Sequence, residues 1–174
     1  MDIWLAVLSS SVISGTVGAG IAGWVTLRSK RNDYENAYFK IVLDKRVAAY
    51  EEVELFLAAA KVAIVGEDNR THHAMFTSEA DRIPDFYILI HKAMSSGFWL
   101  SDGLFKALRK LNIIIIEARD DRDKLLELAK TRYSELAILR SEIEQLHMKD
   151  MLTLHLVPKF LKSKRHTNKF DVLP

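Results

Sequence analysis

The sequence predicts an all-α protein, with one N-terminal transmembrane helix followed by a small cytosolic helical bundle. Two observations support this fold class. Residues 3–27 contain no charged side chain, and the segments that follow repeat apolar residues at helical spacing. About 147 of the 174 residues remain after the apolar run, which is enough for one small domain and not for two.

The composition excludes several classes of protein. The chain carries 25 lysines and arginines against 23 aspartates and glutamates, whereas a general nucleic-acid binder shows a large basic excess. The hydrophobic content of 49% is far above that of disordered chains. Because the chain has no cysteine, the sequence excludes a disulfide framework, a thiolate nucleophile and a cysteine-based zinc site.

The charge-free run is predicted to span a membrane. A helix of its 25 residues is about 37 Å long, against a hydrocarbon core of about 30 Å. Trp4 and Trp24 lie about 30 Å apart along such a helix, and indole rings prefer the two membrane interfaces. A buried helix of a soluble protein does not need so long a run. A cleaved signal peptide begins with positive charge, whereas this chain begins with Met1 and Asp2.

The charges that flank the run predict its orientation. Arg28, Lys30 and Arg31 follow it directly, and positive charge stays on the cytoplasmic side. We therefore expect a single-pass protein of a bacterial inner membrane, with a periplasmic N-terminus and a cytoplasmic C-terminal domain. The predicted organisation is a transmembrane helix with its basic flank in residues 1–31, a cytosolic helical domain in residues 32–158 and a basic C-terminal tail in residues 159–174.

Small residues recur at every fourth position within the run. They form two neighbouring ridges, the first of Ser11, Gly15, Ala19 and Gly23, the second of Ser10, Ser14, Gly18 and Ala22. Small residues at this spacing let helix backbones approach closely, and two ridges let each helix contact two copies. The sequence therefore predicts a homo-oligomer larger than a dimer in the lipid bilayer, assembled through the first ridge. The alternative is a plain anchor whose small residues are incidental.

Four or five helices are predicted after the run. The first covers residues 32–65, with Gly66 as its C-cap, and it is expected to continue the preceding helix. One of its faces is apolar and comprises Tyr34, Tyr38, Ile41, Ala48, Leu55, Ala59 and Val62. Residues 66–73 are expected to form a polar loop. Pro84 begins a short helix that runs to about Ser96, although residues 86–90 also suit a buried strand.

The second half of the domain is predicted to contain two helical stripes. Ser101 is the N-cap of the first, whose face comprises Leu104, Leu108, Leu111 and Ile115. Four successive isoleucines, residues 113–116, predict a central helix that is apolar on more than one side. Residues 119–124 form either a loop or an exposed turn of one long helix. The second stripe then runs to about Leu156 before Pro158 disrupts it, and it comprises Leu125, Ala129, Tyr133, Leu136, Ile143 and Leu146.

No catalytic motif accompanies this pattern. The sequence contains no phosphate-binding loop, no serine nucleophile elbow, no zinc-protease helix motif and no EF-hand loop. Of the six histidines, only His72 and His73 are adjacent, and neighbours in a loop rarely bind one metal ion together. We therefore expect neither an enzyme nor a protein that holds a metal or another cofactor.

One cluster of residues suits anion binding. Trp99 precedes the helix start at Ser101, and Lys106, Arg109 and Lys110 follow it. Helix N-termini offer free backbone N–H groups to phosphates, and an aromatic side chain can stack a base. Lys106, Arg109, Lys110 and Trp99 are therefore the candidate residues for a phosphorylated ligand on the axis of a ring. The alternative is that Trp99 packs in the core and the three cations form a solvated face.

The order of segments resembles a known family. A glycine- and serine-rich span over residues 3–27, a basic stop over residues 28–31 and a small helical domain are similar to the type III CRISPR-associated membrane proteins that sense cyclic tetra-adenylate. The resemblance covers the whole architecture and rests on no specific motif. It implies an effector of bacterial antiviral defence whose cytosolic domain binds a cyclic oligoadenylate and whose spans perturb the membrane. Duplex nucleic acid is not an expected partner.

Two other functions stay open. A non-enzymatic membrane anchor or scaffold would recruit a cytosolic protein partner through its helical domain. A phage-encoded or plasmid-encoded exclusion protein is the second. The apolar run separates the effector from the anchor, because an anchor does not need small residues at every fourth position.

Overall fold

The computed structural model describes the backbone of residues 2–77, 83–118 and 121–166, and the side chains of residues 18–77, 86–118, 121 and 123–164. Within these ranges the chain is mostly helical. Helix α1 covers Asp2–Ala60, and two short strands follow it, β1 over Ala63–Val65 and β2 over Thr71–His73. The remaining helices are α2 Ile83–Ser95, α3 Asp102–Ile116, α4 Arg122–Thr131, α5 Tyr133–Met151 and α6 Val157–His166. The chain divides into two compact units, Met1–Ile41 and Val42–Pro174.

The prediction of a transmembrane helix over residues 3–27 is wrong. In the part of the chain that the structure describes, no helix combines the length and the apolar character needed to cross a bilayer. Helix α1 has the length, with 59 residues. However, charged side chains recur along this helix from Arg28 onward. The side chains of residues 3–17 lie outside the described residues.

The continuity of α1 is confirmed, but its buried face is not the predicted one. Six of the seven predicted residues are exposed: Tyr34, Tyr38, Ile41, Ala48, Leu55 and Val62. The second unit buries a different face, which comprises Val42, Ala49, Tyr50, Val53, Phe56, Leu57 and Ala60. Each set keeps to one face of a helix, so helical spacing alone does not distinguish them. Packing against the other helices decides which face is buried.

A β-hairpin covers the end of the predicted helix and the predicted polar loop, because α1 ends at Ala60 and not at Val65. Strands β1 and β2 pair antiparallel, with Ala63 opposite His73 and Val65 opposite Thr71. The Gly66 N–H donates to the Arg70 carbonyl oxygen at 3.0 Å, and Asn69, with a φ of 62°, takes the left-handed conformation in the turn. Strands of three residues are too short to show a period in the sequence.

Ion pairs join the hairpin turn to α4. Arg70 contacts Glu127 at 2.7 Å, and Lys130 contacts Asp68 at 2.7 Å. These pairs hold the pKa of the Asp68 and Glu127 carboxyls below their usual range, in each case mainly through the hydrogen bond from the cation. The hairpin is therefore fixed to the helical part of the second unit at its turn as well as at its strands.

Helices α2 and α3 agree with their predictions more closely. Residues 86–90 are helical, so α2 is the helix expected after Pro84 and not the alternative strand. Ser101 is confirmed as the N-cap of α3, since its Oγ accepts a hydrogen bond from the Leu104 N–H at 3.2 Å. The predicted face of α3 is also buried. Ile113 and Ile116 are exposed, however, so the predicted central position is wrong in that α3 is not covered on all sides.

The last part of the chain forms three helices. Helix α4 ends at Thr131 and α5 begins at Tyr133, so the second predicted stripe is divided between them. Helix α6 covers part of the stretch predicted as a basic tail, and its Phe160 is buried. Residues 119–120 and 167–174 lie outside the described residues. Helix α3 packs mainly against α5 and α2, which places the start of α3 inside the second unit.

Candidate functional site

The start of α3 lies beside the carboxylate of Asp150 on α5. Tyr50 of α1 donates its hydroxyl hydrogen to Asp150 Oδ2 at 2.9 Å, and the Ser101 hydroxyl donates to the same oxygen. The Ser101 backbone N–H in turn donates to the Tyr50 hydroxyl oxygen at 3.1 Å. Burial and the neighbouring Asp150 carboxylate raise the pKa of Tyr50, so the phenol stays a hydrogen-bond donor. This network ties three helices of the second unit together.

The same arrangement makes the start of α3 acidic. Asp102, in the first turn of α3, forms an ion pair with Lys164 of α6 at 2.6 Å. A helix N-terminus attracts negative charge, and here the carboxylates of Asp102 and Asp150 supply it. The helix start that the sequence offers to a phosphate therefore already lies beside two protein carboxylates.

A cavity of about 320 Å³ lies next to this network, between α1, α3, α5 and α6. Two carboxylates, Asp102 and Asp150, and two cations, Arg46 and Lys159, belong to its lining. Three hydroxyl side chains, Leu156 and the ring of Phe160 complete the lining. The cavity therefore presents opposite charges within one small volume.

Arg46 is the most unusual residue of this cavity. Arg46 is 3% exposed, and its Nη1 donates to the Leu154 carbonyl oxygen at 2.9 Å. The guanidinium carbon lies 4.1 Å from the centre of the Phe160 ring. Within the described part of the chain, Nε has no hydrogen-bond partner and no carboxylate forms an ion pair with Arg46. Burying an unpaired charge is costly, so the burial of Arg46 without an ion-pair partner requires an explanation.

The predicted ligand residues lie on a different surface. Lys106, Arg109 and Lys110 share the outer face of α3, where Lys106 and Lys110 are exposed and Arg109 is half-buried. None of the three forms an ion pair with a residue that the structure describes. Trp99 is half-buried against the core, with its ring centre 4.9 Å from that of Phe98. The structure thus brings the three cations together and places Trp99 in a packing position.

The predicted oligomerisation residues belong to the first unit. Ala19 and Gly23 are exposed, and nothing described lies within 4 Å of the position that a Cβ atom would take at Gly23. Ser11 and Gly15 lie on the backbone of α1, but their side-chain surroundings fall outside the described residues.

The two adjacent histidines are both buried. His73 of β2 is 4% exposed, its ring centre lies 5.1 Å from that of Tyr133, and neither ring nitrogen has a hydrogen-bond partner of ordinary geometry among the described residues. Burial, and then the positive charge of Arg140, lower the pKa of His73. Nowhere in the described part of the chain do three histidine, aspartate or glutamate side chains come together as a metal site would require.

We expect the buried His73 to make the fold sensitive to acid. Its lowered pKa means that the unfolded chain binds a proton first, so the free energy of unfolding falls as the pH drops below about 6.5, by at most about 1.4 kcal/mol per pH unit. Urea unfolding between pH 5 and 7.5 measures this slope. His73→Phe should flatten it, whereas the exposed His91→Gln should leave it unchanged. An equal slope in the His73 variant would assign the acid sensitivity to other groups.

Arg46 and Asp150 are the two site residues that the sequence did not reveal. Arg46 follows Asp44 and Lys45 in α1, and Asp150 follows Lys149 near the end of α5. In the sequence both resemble ordinary surface charges. One signal was present, because Arg46 lies seven positions before Val53 and three before Ala49, on the face that the second unit buries.

Comparison of the chain with protein-family models, with curated proteins and with solved structures finds no match. The function is therefore inferred from the geometry of this chain.

Proposed function

We propose that this protein is a non-enzymatic scaffold, in which a second copy of the chain pairs with the exposed part of α1 and so brings two helical domains together. The observation that carries the proposal is a row of residues on α1 with alternating spacings of three and four. We name this row the α1 seam, and it comprises Trp24, Leu27, Arg31, Tyr34, Tyr38 and Ile41.

The α1 seam has the spacing and the exposure of a coiled-coil surface. Alternating steps of three and four residues repeat every 3.5 residues on average, which keeps one side of a helix against a partner helix. Trp24 is 60% exposed, Leu27 71% and Tyr34 80%. Large apolar side chains at such exposure lose the free energy of burial unless another surface covers them.

The first unit does not cover the seam itself. Every described side chain from residue 18 to residue 38 is exposed, and the described glycines Gly18, Gly20 and Gly23 have nothing within 4 Å of a Cβ position. Most helices in proteins owe their stability to packing of an apolar face. A partner helix would supply that packing for a segment that includes three glycines, each of which lowers helix propensity.

The charges of the seam favour an antiparallel pair. In a parallel pair in register, Arg31 would face Arg31 of the second copy, and like charges at a seam position are unfavourable. An antiparallel pair with its two-fold axis between Asn32 and Asp33 avoids this contact. Across that axis, Trp24 faces Ile41, Leu27 faces Tyr38 and Arg31 faces Tyr34 of the other copy. The same register sets Arg28 beside Glu35 of the second copy. These two residues flank the α1 seam and carry opposite charges.

The mass of the full chain in solution tests the scaffold. We expect about twice the chain mass of 19.9 kDa by sedimentation equilibrium. The double substitution Trp24→Glu and Tyr38→Glu puts four carboxylates into the apolar seam of the pair and should raise the dissociation constant by about 100-fold or more. A matched control is Ala22→Glu and Asn36→Glu, which adds the same charge at the same separation on the opposite face of α1. This control should keep the mass of the pair.

Two results would contradict the proposal. A wild-type chain that stays at the mass of one copy at high micromolar concentration has no self-association to explain. Equal masses for the seam variant and the control would place the contact elsewhere on the molecule. The ring larger than a dimer that the sequence predicts would be recognised in the same experiment by a higher mass.

The orientation of the pair can be measured separately because the chain has no cysteine. A spin label on the single variant Ile21→Cys lies beside the seam. In the antiparallel pair the two labels are separated by about 35 Å along the axis, whereas a parallel pair keeps them within about 20 Å. A short distance between the two labels would refute the antiparallel register, but it would not contradict pairing through α1.

The role in antiviral defence stays a prediction. The observation that favours it is the outer face of α3, where Lys106, Arg109 and Lys110 form no ion pair with described residues. Three cations on one face, doubled in a pair of chains, would suit a multiply charged anion such as a cyclic oligoadenylate. Because the start of α3 is acidic, the anion is expected on the outer face of α3 and not at its N-terminus.

A further inference from the structure

We propose that the cavity between α1, α3, α5 and α6 binds a small zwitterion, whose carboxylate lies against Arg46 and whose ammonium group lies against Asp150. The chemical class is that of an amino acid. This inference rests on the second unit alone and is independent of the pairing of α1.

The anionic end of the ligand follows from Arg46. A guanidinium group has five N–H donors, and the Leu154 carbonyl oxygen accepts from Nη1. Nε has no partner among the described residues, and Arg46 is only 3% exposed. The Phe160 ring offsets part of the cost through its face, but a ring supplies no hydrogen-bond acceptor. A carboxylate supplies both the opposite charge and two acceptor oxygens.

The cationic end of the ligand follows from Asp150. Tyr50 and Ser101 both donate to Oδ2, and neither donates to Oδ1. Asp102, the other carboxylate of the lining, forms its ion pair with Lys164. Asp150 has no cation among the described residues as an ion-pair partner. An ammonium group in the cavity would neutralise it.

The charge around the cavity excludes simpler ligands. Arg46 faces the cavity from α1, Asp102 from α3, Asp150 from α5 and Lys159 from α6. A plain anion would meet the Asp150 carboxylate, and a plain cation would meet a guanidinium and an ammonium group. A molecule that carries both charges can place each against its opposite. The volume of 320 Å³ lies at the lower end of the range for ligand pockets, which favours a small molecule.

Titration of the full chain with a graded series of amino acids tests the site. Glycine, β-alanine and 4-aminobutyrate carry the same two charges at increasing separation, whereas acetate and methylammonium carry one each. We expect saturable chemical-shift changes in nuclear magnetic resonance spectra, with at least one amino acid bound about tenfold or more tightly than either single-charge probe. Failure of all three amino acids to bind at millimolar concentration would overturn the proposal.

Two substitutions assign the charges to their residues. Asp150→Asn keeps an acceptor oxygen for Tyr50 and Ser101 but removes the negative charge, so the amino acid should lose its advantage over acetate and the ratio of their affinities should fall to about one. Lys159→Ala removes an exposed cation of the lining and should weaken the amino acid and acetate together. Lys92→Ala, at an exposed lysine of α2 outside the cavity, is the matched control and should change neither affinity.

Arg46 itself is tested by Arg46→Lys, which keeps the charge and loses the planar fork. We expect about tenfold weaker binding of the amino acid in a variant whose circular dichroism spectrum is unchanged. Should this variant fail to fold, Asp150→Asn and Lys159→Ala are sufficient to test whether the cavity binds a zwitterion. An unaltered ratio of amino acid to acetate affinity in Asp150→Asn would refute the zwitterion, whatever the Arg46 variant does.

Discussion

Replacing Phe56 by alanine is expected to lower the free energy of unfolding by about 3–5 kcal/mol. Phe56 is fully buried, its ring centre lies 6.0 Å from that of Phe86, and Phe86 in turn lies 5.0 Å from Phe76. The truncation removes one ring of this aromatic cluster and leaves a cavity between α1 and α2. Urea unfolding of the full chain, followed by circular dichroism, measures the loss.

Leu55 is the matched control, because it is the neighbouring residue on the face that the sequence pattern favoured for burial. It is 57% exposed, so Leu55→Ala should change the free energy of unfolding by about 0.5 kcal/mol or less. All measurements need the same chain concentration, since pairing of α1 would add to the apparent stability. A larger loss for Leu55→Ala than for Phe56→Ala would mean that the other face of α1 is the buried one.

Replacing Asp150 by alanine is expected to cost about 1–3 kcal/mol, the second largest effect on stability. The substitution removes the acceptor that Tyr50 and Ser101 share and leaves both hydroxyl donors without it. It also removes the hydrogen bonds that connect α5 to α1 and to the start of α3. The same unfolding measurement tests it, with the exposed Asp123→Ala on α4 as the control.

Asp123→Ala should stay within about 0.5 kcal/mol of the wild type. The variant Tyr50→Phe, combined with Asp150→Ala, shows whether the two residues act together. If they do, the double variant loses less than the sum of the two single losses. Additive losses would mean that the hydrogen bond between Tyr50 and Asp150 contributes nothing to stability.

The parts of the fold that could be predicted are those set by a few neighbouring residues. Ser101 caps α3 through a bond to the N–H three positions later, and the buried face of α3 follows from four leucine and isoleucine positions at helical spacing. Both features depend on contacts within one helix or on a single apolar stripe. The hairpin escaped prediction because strands of three residues carry no period, and the ion pairs at its turn join residues about 60 positions apart.

The apolar run near the N-terminus led to a wrong prediction because only its length and lack of charge were considered. Length and lack of charge predicted a membrane span over residues 3–27, but in the described part of the chain no helix is both long and apolar enough to cross a bilayer. The seam that starts at Trp24 mixes apolar residues with Arg31, so it follows neither a membrane pattern nor a core pattern. It is recognised only once these side chains are known to be exposed.

The sequence by itself determined that the chain is mostly helical, that α1 is continuous, and where α2 and α3 begin and which face of α3 is buried. These features follow from helical spacing, capping residues and the positions of proline and glycine, which act over one or two turns. Only the tertiary structure decided which of two apolar faces of α1 packs in the core. It also decided that Arg46 and Asp150, 104 positions apart, line one cavity. The physical reason is that burial of a helix face and pairing of charges depend on neighbours from other helices, which the order of residues does not specify.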